Sequence, residues 1–240
     1  MKRFVISAVI TALIITAYSV LSMADEGALK IVATSGKVSI KIADSKEWVE
    51  AVKGQAVAKH DVVRTEADSN AVLEFADKSS VTLKPNTEIT IEELVLDKTV
   101  RKVGINMPVG ELRSIITKVD TPSEFVVKTP TAISGARGTV FYVMFDGTNT
   151  RIFVTEGSVD FSNANGENSV VVIENMSSIA SGDGTVGEPR ELTGEEREQA
   201  LAGWLGGAIA EFYTPPEGGG NTGEDLDAPE ATPESTASRT

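Results

Sequence analysis

The sequence predicts an all-β domain, a twisted β-roll, solenoid-like coil or sandwich of many short strands, with one C-terminal amphipathic helix. Three observations carry this. Apolar and polar residues alternate with period two in segment after segment between residues 37 and 107. Turn-forming residues recur about every 8–12 residues, the rhythm of sandwiches, barrels and rolls. Helical three- and four-residue spacing enters only near residue 193.

The strands follow in order. Val38, Ile40 and Ile42 alternate with Lys37, Ser39 and Lys41. Leu73 and Phe75 alternate with Val72 and Glu74, Val81 and Leu83 with Thr82 and Lys84, and Ile89 and Ile91 with Thr90 and Glu92. Val103, Ile105 and Met107 alternate with Lys102, Gly104 and Asn106. One face of each strand is expected in the core and the other in water. Val140–Phe145 and Val170–Ile173 are apolar on both faces and predict central strands covered on both sides. Asp146-Gly147 supplies the positive φ of a hairpin turn. A weak echo links Thr34-Ser-Gly36-Lys-Val38 to Thr155-Glu-Gly157-Ser-Val159, with Val109-Gly110-Glu-Leu112 as a looser copy. Each copy is a turn glycine that feeds a strand.

Met1-Lys2-Arg3, the apolar run Phe4–Leu21 and the small residues Ser22 and Ala24 form the pattern of a secretory signal, residues 1–24, cleaved after Ala24. An uncleaved inner-membrane anchor over residues 4–21 is the alternative, at the lower limit for a span. Both place the rest outside the cytoplasm, periplasmic or secreted. The β domain is expected over 25–190. Thr193-Gly-Glu-Glu196 is a capping box. Leu201, Trp204, Leu205, Ala208, Ile209 and Phe212 then form an apolar stripe, predicting a helix over 193–213 that packs on the β domain. Residues 214–240, rich in Pro, Gly, Ser, Thr and acids, are expected to be a disordered acidic tail.

Composition narrows the function. The chain has 240 residues, with 22 Lys and Arg against 35 Asp and Glu, a net charge of −13. That excess disfavours nucleic acid and anionic membrane surfaces as partners. There is no cysteine, which removes disulfides, zinc–thiolate sites and thiol catalysis. The single histidine, His60, reads as a turn residue, since no nucleophile motif accompanies it. Nucleophile-elbow, P-loop and zinc patterns do not occur, and Gly182-Asp-Gly184 reads as a turn. No catalytic residue, metal ligand or cofactor is therefore assigned, and the protein is read as a non-enzyme. A carboxylate-pair glycan hydrolase is the least favoured reading, because it needs two converging acids. Trp48, the one tryptophan of the β domain, is a core or lid residue or a low-ranked sugar platform.

The most informative segment is Phe125-Val-Val-Lys-Thr-Pro-Thr-Ala-Ile-Ser-Gly-Ala-Arg-Gly-Thr-Val-Phe141: strand, tight Thr129-Pro130 corner, loop, strand. Pro130 holds Thr129 extended and Gly138 allows close approach. Arg137 is placed to bond loop carbonyls or, alternatively, an anion. With Gly36-Lys-Val38, the Trp48-to-Gly54 step, His60-Asp61-Val-Val-Arg64-Thr65, Ala71–Asp77 through Leu83-Lys-Pro85-Asn86-Thr87, Gly110-Glu-Leu112, Arg137-Gly138-Thr139-x-Phe141 and Glu156-Gly157-Ser-Val159, the stretch Ala33–Ala180 resembles the FecR family of periplasmic domains. Gly36, Asp61, Thr65, Thr129, Pro130, Arg137, Gly138, Thr139 and Gly157 carry the matching motif. His60 and Lys78 stand where the family usually has glycine. The resemblance implies a non-enzymatic envelope module for binding, sensing or scaffolding, with another envelope protein as partner, by strand addition or loop contact. A structural, glycan- or peptidoglycan-binding role is the alternative. The family's cytoplasmic sigma-regulator segment is not expected here, since only Met1-Lys2-Arg3 precede the apolar run.

Overall fold

The computed structural model describes residues 28–194 and Arg197. The expected signal segment with its cleavage site at Ala24, most of the expected helix and the acidic tail lie outside the described residues. Alternation puts one residue in two against the core, and sixteen strands result among the described residues. They are β1 (Leu29–Ser35), β2 (Val38–Lys41), β3 (Val49–Glu50), β4 (Val62–Thr65), β5 (Asn70–Phe75), β6 (Ser80–Leu83), β7 (Glu88–Leu96) and β8 (Arg101–Ile115). Then come β9 (Ser123–Lys128), β10 (Ala132–Ala136), β11 (Val140–Phe145), β12 (Thr150–Glu156), β13 (Ser158–Asn163), β14 (Val170–Ile173), β15 (Met176–Ala180) and β16 (Arg190–Glu191).

The strands form one continuous sheet that doubles over on itself at β8. Residues 101–109 of β8 pair with β7 and β9, whereas residues 110–115 pair with β6 and β11. One layer, here sheet I, runs β1-β5-β6-β8-β11-β12-β15-β16. The other, sheet II, runs β3-β2-β4-β7-β8-β9-β10-β13-β14. All named pairings are antiparallel except β8 with β9. The core lies between the layers. Phe125 of sheet II meets Phe75 and Phe141 of sheet I edge-to-face, with ring centroids 5.8 and 6.4 Å apart. That geometry favours aromatic pairs beyond the area they bury.

The alternating residues behave as the pattern requires. Val38, Ile40, Leu73, Phe75, Val81, Leu83, Ile89, Ile91, Val103, Ile105 and Met107 are all buried. Ile42 is the exception, at 44% exposure, because the chain leaves the layer through a turn at Asp44, φ 62°. Val140–Phe145 is a central strand, as expected. Val170–Ile173 corrects the sequence reading. It forms β14, the end strand of sheet II, with Val171 and Ile173 about half exposed. Its partner β13 covers one edge, and no other described strand covers the second.

The glycine echo marks where the chain crosses between layers. Gly36 joins β1 of sheet I to β2 of sheet II, Gly110 bends β8, and Gly157 joins β12 to β13. All three have positive φ. Each presses against the backbone of another crossing: Gly36 on Asp68-Ser69, Gly110 on Thr87, and Gly157 on Gly138-Thr139. The echo is thus a repeated corner.

Aspartates shape three exposed turns. The Asp97 carboxylate accepts bonds from the Thr99 hydroxyl and from the amides of Thr99 and Val100, which hold its pKa below the ordinary carboxylate value. The amides of Asn149 and Thr148 do the same for Asp146, and Thr185 does so for Asp183. A carboxyl depressed in the folded state adds stability above its unfolded pKa, near 4. That stability is lost as pH falls through the folded value.

Two described turns hold a residue other than Gly, Asn or Asp in the left-handed region: His60 at φ 72° and Lys78 at φ 69°. The left-handed region costs an L-residue roughly 1–2 kcal/mol. His60→Gly and Lys78→Gly are therefore each expected to raise stability by up to about 1 kcal/mol after the entropy cost of glycine. Urea unfolding of each single variant checks this. The ion pair of Lys78 with Glu74 at 2.9 Å is exposed and subtracts little.

Candidate functional site

The motif residues sit at the corners. Asp61 is buried, and its two carboxylate oxygens accept the amides of Ala43 and Ala58 at 2.8 and 2.9 Å. It ties two loops to the start of β4. Thr65, also buried, donates to the Lys84 carbonyl at 2.5 Å and accepts the Thr87 amide at 3.0 Å. Thr87 in turn donates to the Glu111 carbonyl and accepts the Glu111 amide, at 3.1 and 3.0 Å. A ladder of threonines thus binds three successive crossings along one edge.

The Thr129-Pro130 corner is built the same way. Thr129 and Ala132 exchange backbone and hydroxyl bonds, and the Thr129 hydroxyl lies 2.6 Å from that of Thr150. Pro130 is exposed. Arg137 is exposed and its guanidinium reaches the carbonyls of Val119 and Thr121 at 3.5 Å. A Cβ on Gly138 would lie 2.9 Å from Lys118 Cβ, so the close approach is to the 116–121 loop. Thr139 is buried and donates to the Ser158 carbonyl at 3.0 Å.

Trp48 is half-buried beside β2 and β4. The Arg64 guanidinium carbon lies 4.1 Å from its ring centroid and Lys41 Nζ lies 5.2 Å from it. A sugar would need the ring faces that these cations approach. His60 is exposed and far from a triad role: the neighbouring Asp61 spends both oxygens on backbone amides. Among the described residues no group of three or more His, Asp or Glu could hold a metal ion. Among them, too, no helix is long and apolar enough to cross a membrane.

Two features escaped the sequence reading. Arg101, 3% exposed, bonds Asp77 Oδ2 with Nη1, which also reaches Ser79 Oγ at 3.2 Å and the Thr117 carbonyl at 3.0 Å. Its Nη2 reaches Ser123 Oγ at 3.3 Å. The pair floors a cleft of about 400 Å³ between Leu96, Asp97, Lys98, Val119 and Thr121. The second feature is an apolar cluster on the outer face of sheet I, where Tyr142 stacks on Phe153. The only sequence signal for it was the two-faced apolar run of β11.

Two crystal structures of a protein from Parabacteroides distasonis, provisionally described as an anti-sigma factor, are similar to this chain. One is 16% identical, with a TM-score of 0.47 over 58% of this chain and 64% of its own. The other is 17% identical, with a TM-score of 0.48 over 60% and 63%. The matched region is thus less than two thirds of those structures' length. No curated protein matches the chain. The family described as FecR protein matches residues 61–160, the span that holds the Asp61 and Thr65 loops, the bend of β8 and the Thr129-Pro130 and Arg137–Thr139 corners. Over residues 61–160 the chain is thus similar to the FecR family.

Proposed function

We propose that this protein is a non-enzymatic, exported envelope module that senses or scaffolds by binding another envelope protein. The match of residues 61–160 to the FecR family supports a regulatory or sensing role. The export pattern of residues 1–24 supports the compartment. The motif residues hold corners together and bond their own backbone, which fits a scaffold better than a reaction centre.

The observation that carries the binding mode is the edge of β14. Its second edge is unpaired among the described residues, and Val171 and Ile173 are 55% and 48% exposed beside it. Backbone groups at such an edge accept an added strand, and alternate side chains select it. Natural edges are usually blunted by charge, and β14 carries none within Val170–Ile173. The double variant Val171→Lys, Ile173→Lys tests this. Both positions are exposed, so folding should survive. Capture of envelope protein on the tagged variant should fall at least about tenfold against wild type, one or two weakened contacts at 1.4 kcal/mol per decade. Equal capture would remove β14 from the account.

A further inference from the structure

We infer that the outer face of sheet I is the docking site for this chain's own amphipathic segment, residues 199–210. Tyr142 and Phe153 are opposite each other on β11 and β12 and stack at 4.1 Å with an interplanar angle of 12°. Both are on the face turned away from the main core: Phe141, Val143, Ile152 and Val154, which alternate with them, belong to that core. An outward-facing aromatic pair should be wet, yet Tyr142 is 1% and Phe153 2% exposed, and Val140 beside them 8%. Ile115 and Met144 flank the cluster from their own strands, which lie in the plane of the sheet. The Arg113 guanidinium carbon of β8 lies 5.4 Å from the Tyr142 ring centroid, and Leu192 is the one described apolar residue that packs on the cluster from outside the strands of sheet I.

Leu192 also identifies the occupant. The chain reaches the far edge of sheet I as β16, which pairs with Met176-Ser177 of β15. The Leu192 amide then bonds the Asn175 carbonyl at 3.0 Å. One residue later the Arg197 amide donates to the Thr193 carbonyl at 3.0 Å, the spacing of a first helical turn. The apolar stripe Leu201, Trp204, Leu205, Ala208 and Ile209 follows. A helix over 193–210 would be about 27 Å long. Crossing from β15 over β12 and β11 to β8 takes about 15 Å at the usual strand spacing. The stripe therefore has the length, the apolar character and the tether to cover Tyr142 and Phe153.

The test places a photo-crosslinking benzophenone amino acid at Met144 of the full chain, at the rim of the cluster, with Thr90 on sheet II as control. Mass spectrometry of the monomer band should find Met144 joined to residues 199–210 and Thr90 not. Trp204 gives a second reading in a Trp48→Phe background. Its emission should be blue-shifted and shielded from quencher, and Tyr142→Lys should reverse both, with circular dichroism verifying the fold. Cross-links found only in dimer bands would assign the face to a second copy and overturn the proposal. So would an absence of cross-links to 199–210 together with solvent-like Trp204 emission.

Discussion

Gly110→Ala should be among the most damaging single substitutions in the molecule. Gly110 is where β8 leaves sheet II and enters sheet I, so the whole two-layer arrangement turns on it. Its φ is +109°, beyond the small left-handed region that other residues reach. A Cβ there would lie 2.3 Å from Thr87 Oγ1 and 2.5 Å from Thr87 Cα. The second contact is with backbone, so no rotamer change relieves it. Backbone strain of about 1–3 kcal/mol and overpacking of similar size add to the lost Thr87–Glu111 bonds. A total near 4 kcal/mol or more is expected, a large part of the 5–15 kcal/mol typical of a domain. Gly135→Ala in β10 is the matched control. Its Cβ would find nothing closer than 3.9 Å, and that variant should unfold within about 1 kcal/mol of wild type. Urea denaturation of the two variants reads the difference directly.

Asp77→Ala should cost nearly as much, for an electrostatic reason. Arg101 belongs to β8 in sheet II, while Asp77 and Ser79 lie in the turn between β5 and β6 of sheet I. The guanidinium thus clamps the two layers and the 116–122 loop through Asp77, Ser79, Ser123 and the Thr117 carbonyl. Its side chain is only 4% exposed and that of Asp77 18%. Removing one partner of a buried pair leaves an uncompensated charge, typically at about 3–5 kcal/mol. Asp77 also accepts the Ser79 amide at 2.9 Å, so the turn loosens as well. Asp77→Ala is expected to lose about that much stability. The double variant Asp77→Ala, Arg101→Met should recover a good part of it, because no buried charge remains. Thermal unfolding of both singles and the double gives the coupling energy. Additive losses would mean that the pair does not act as a unit.

How much of this could be read from the sequence depends on how local the signal is. The burial of Ile89, Ile91, Val103 and Ile105 was legible, because period-two alternation is a property of a few consecutive residues. The corners were legible as an echo of glycines. What the glycines touch was not: Gly110 meets Thr87, 23 positions away. Val170–Ile173 misled because an apolar run states what a strand could bury, not whether a neighbour arrives on its second side. Arg101 and Asp77 stand 24 residues apart on different layers, and only the doubling of the sheet brings them together. Trp48 was singled out for its chemistry, but the cations beside it come from β2 and β4, which pairing alone unites. His60 and Lys78 sit in turns at positive φ, so turn positions were legible even where the residue type argued against them.

The central claim is that the protein works by holding another envelope protein. Affinity capture with tagged residues 25–240 from solubilised native envelope, read by quantitative mass spectrometry beside a cell-wall sedimentation assay, tests it most directly. The account predicts one protein retained in near-stoichiometric amount and little sedimentation with wall material. Stoichiometric capture of no protein, with the chain pelleting with peptidoglycan and released by Trp48→Ala, would contradict it and assign the molecule to glycan attachment.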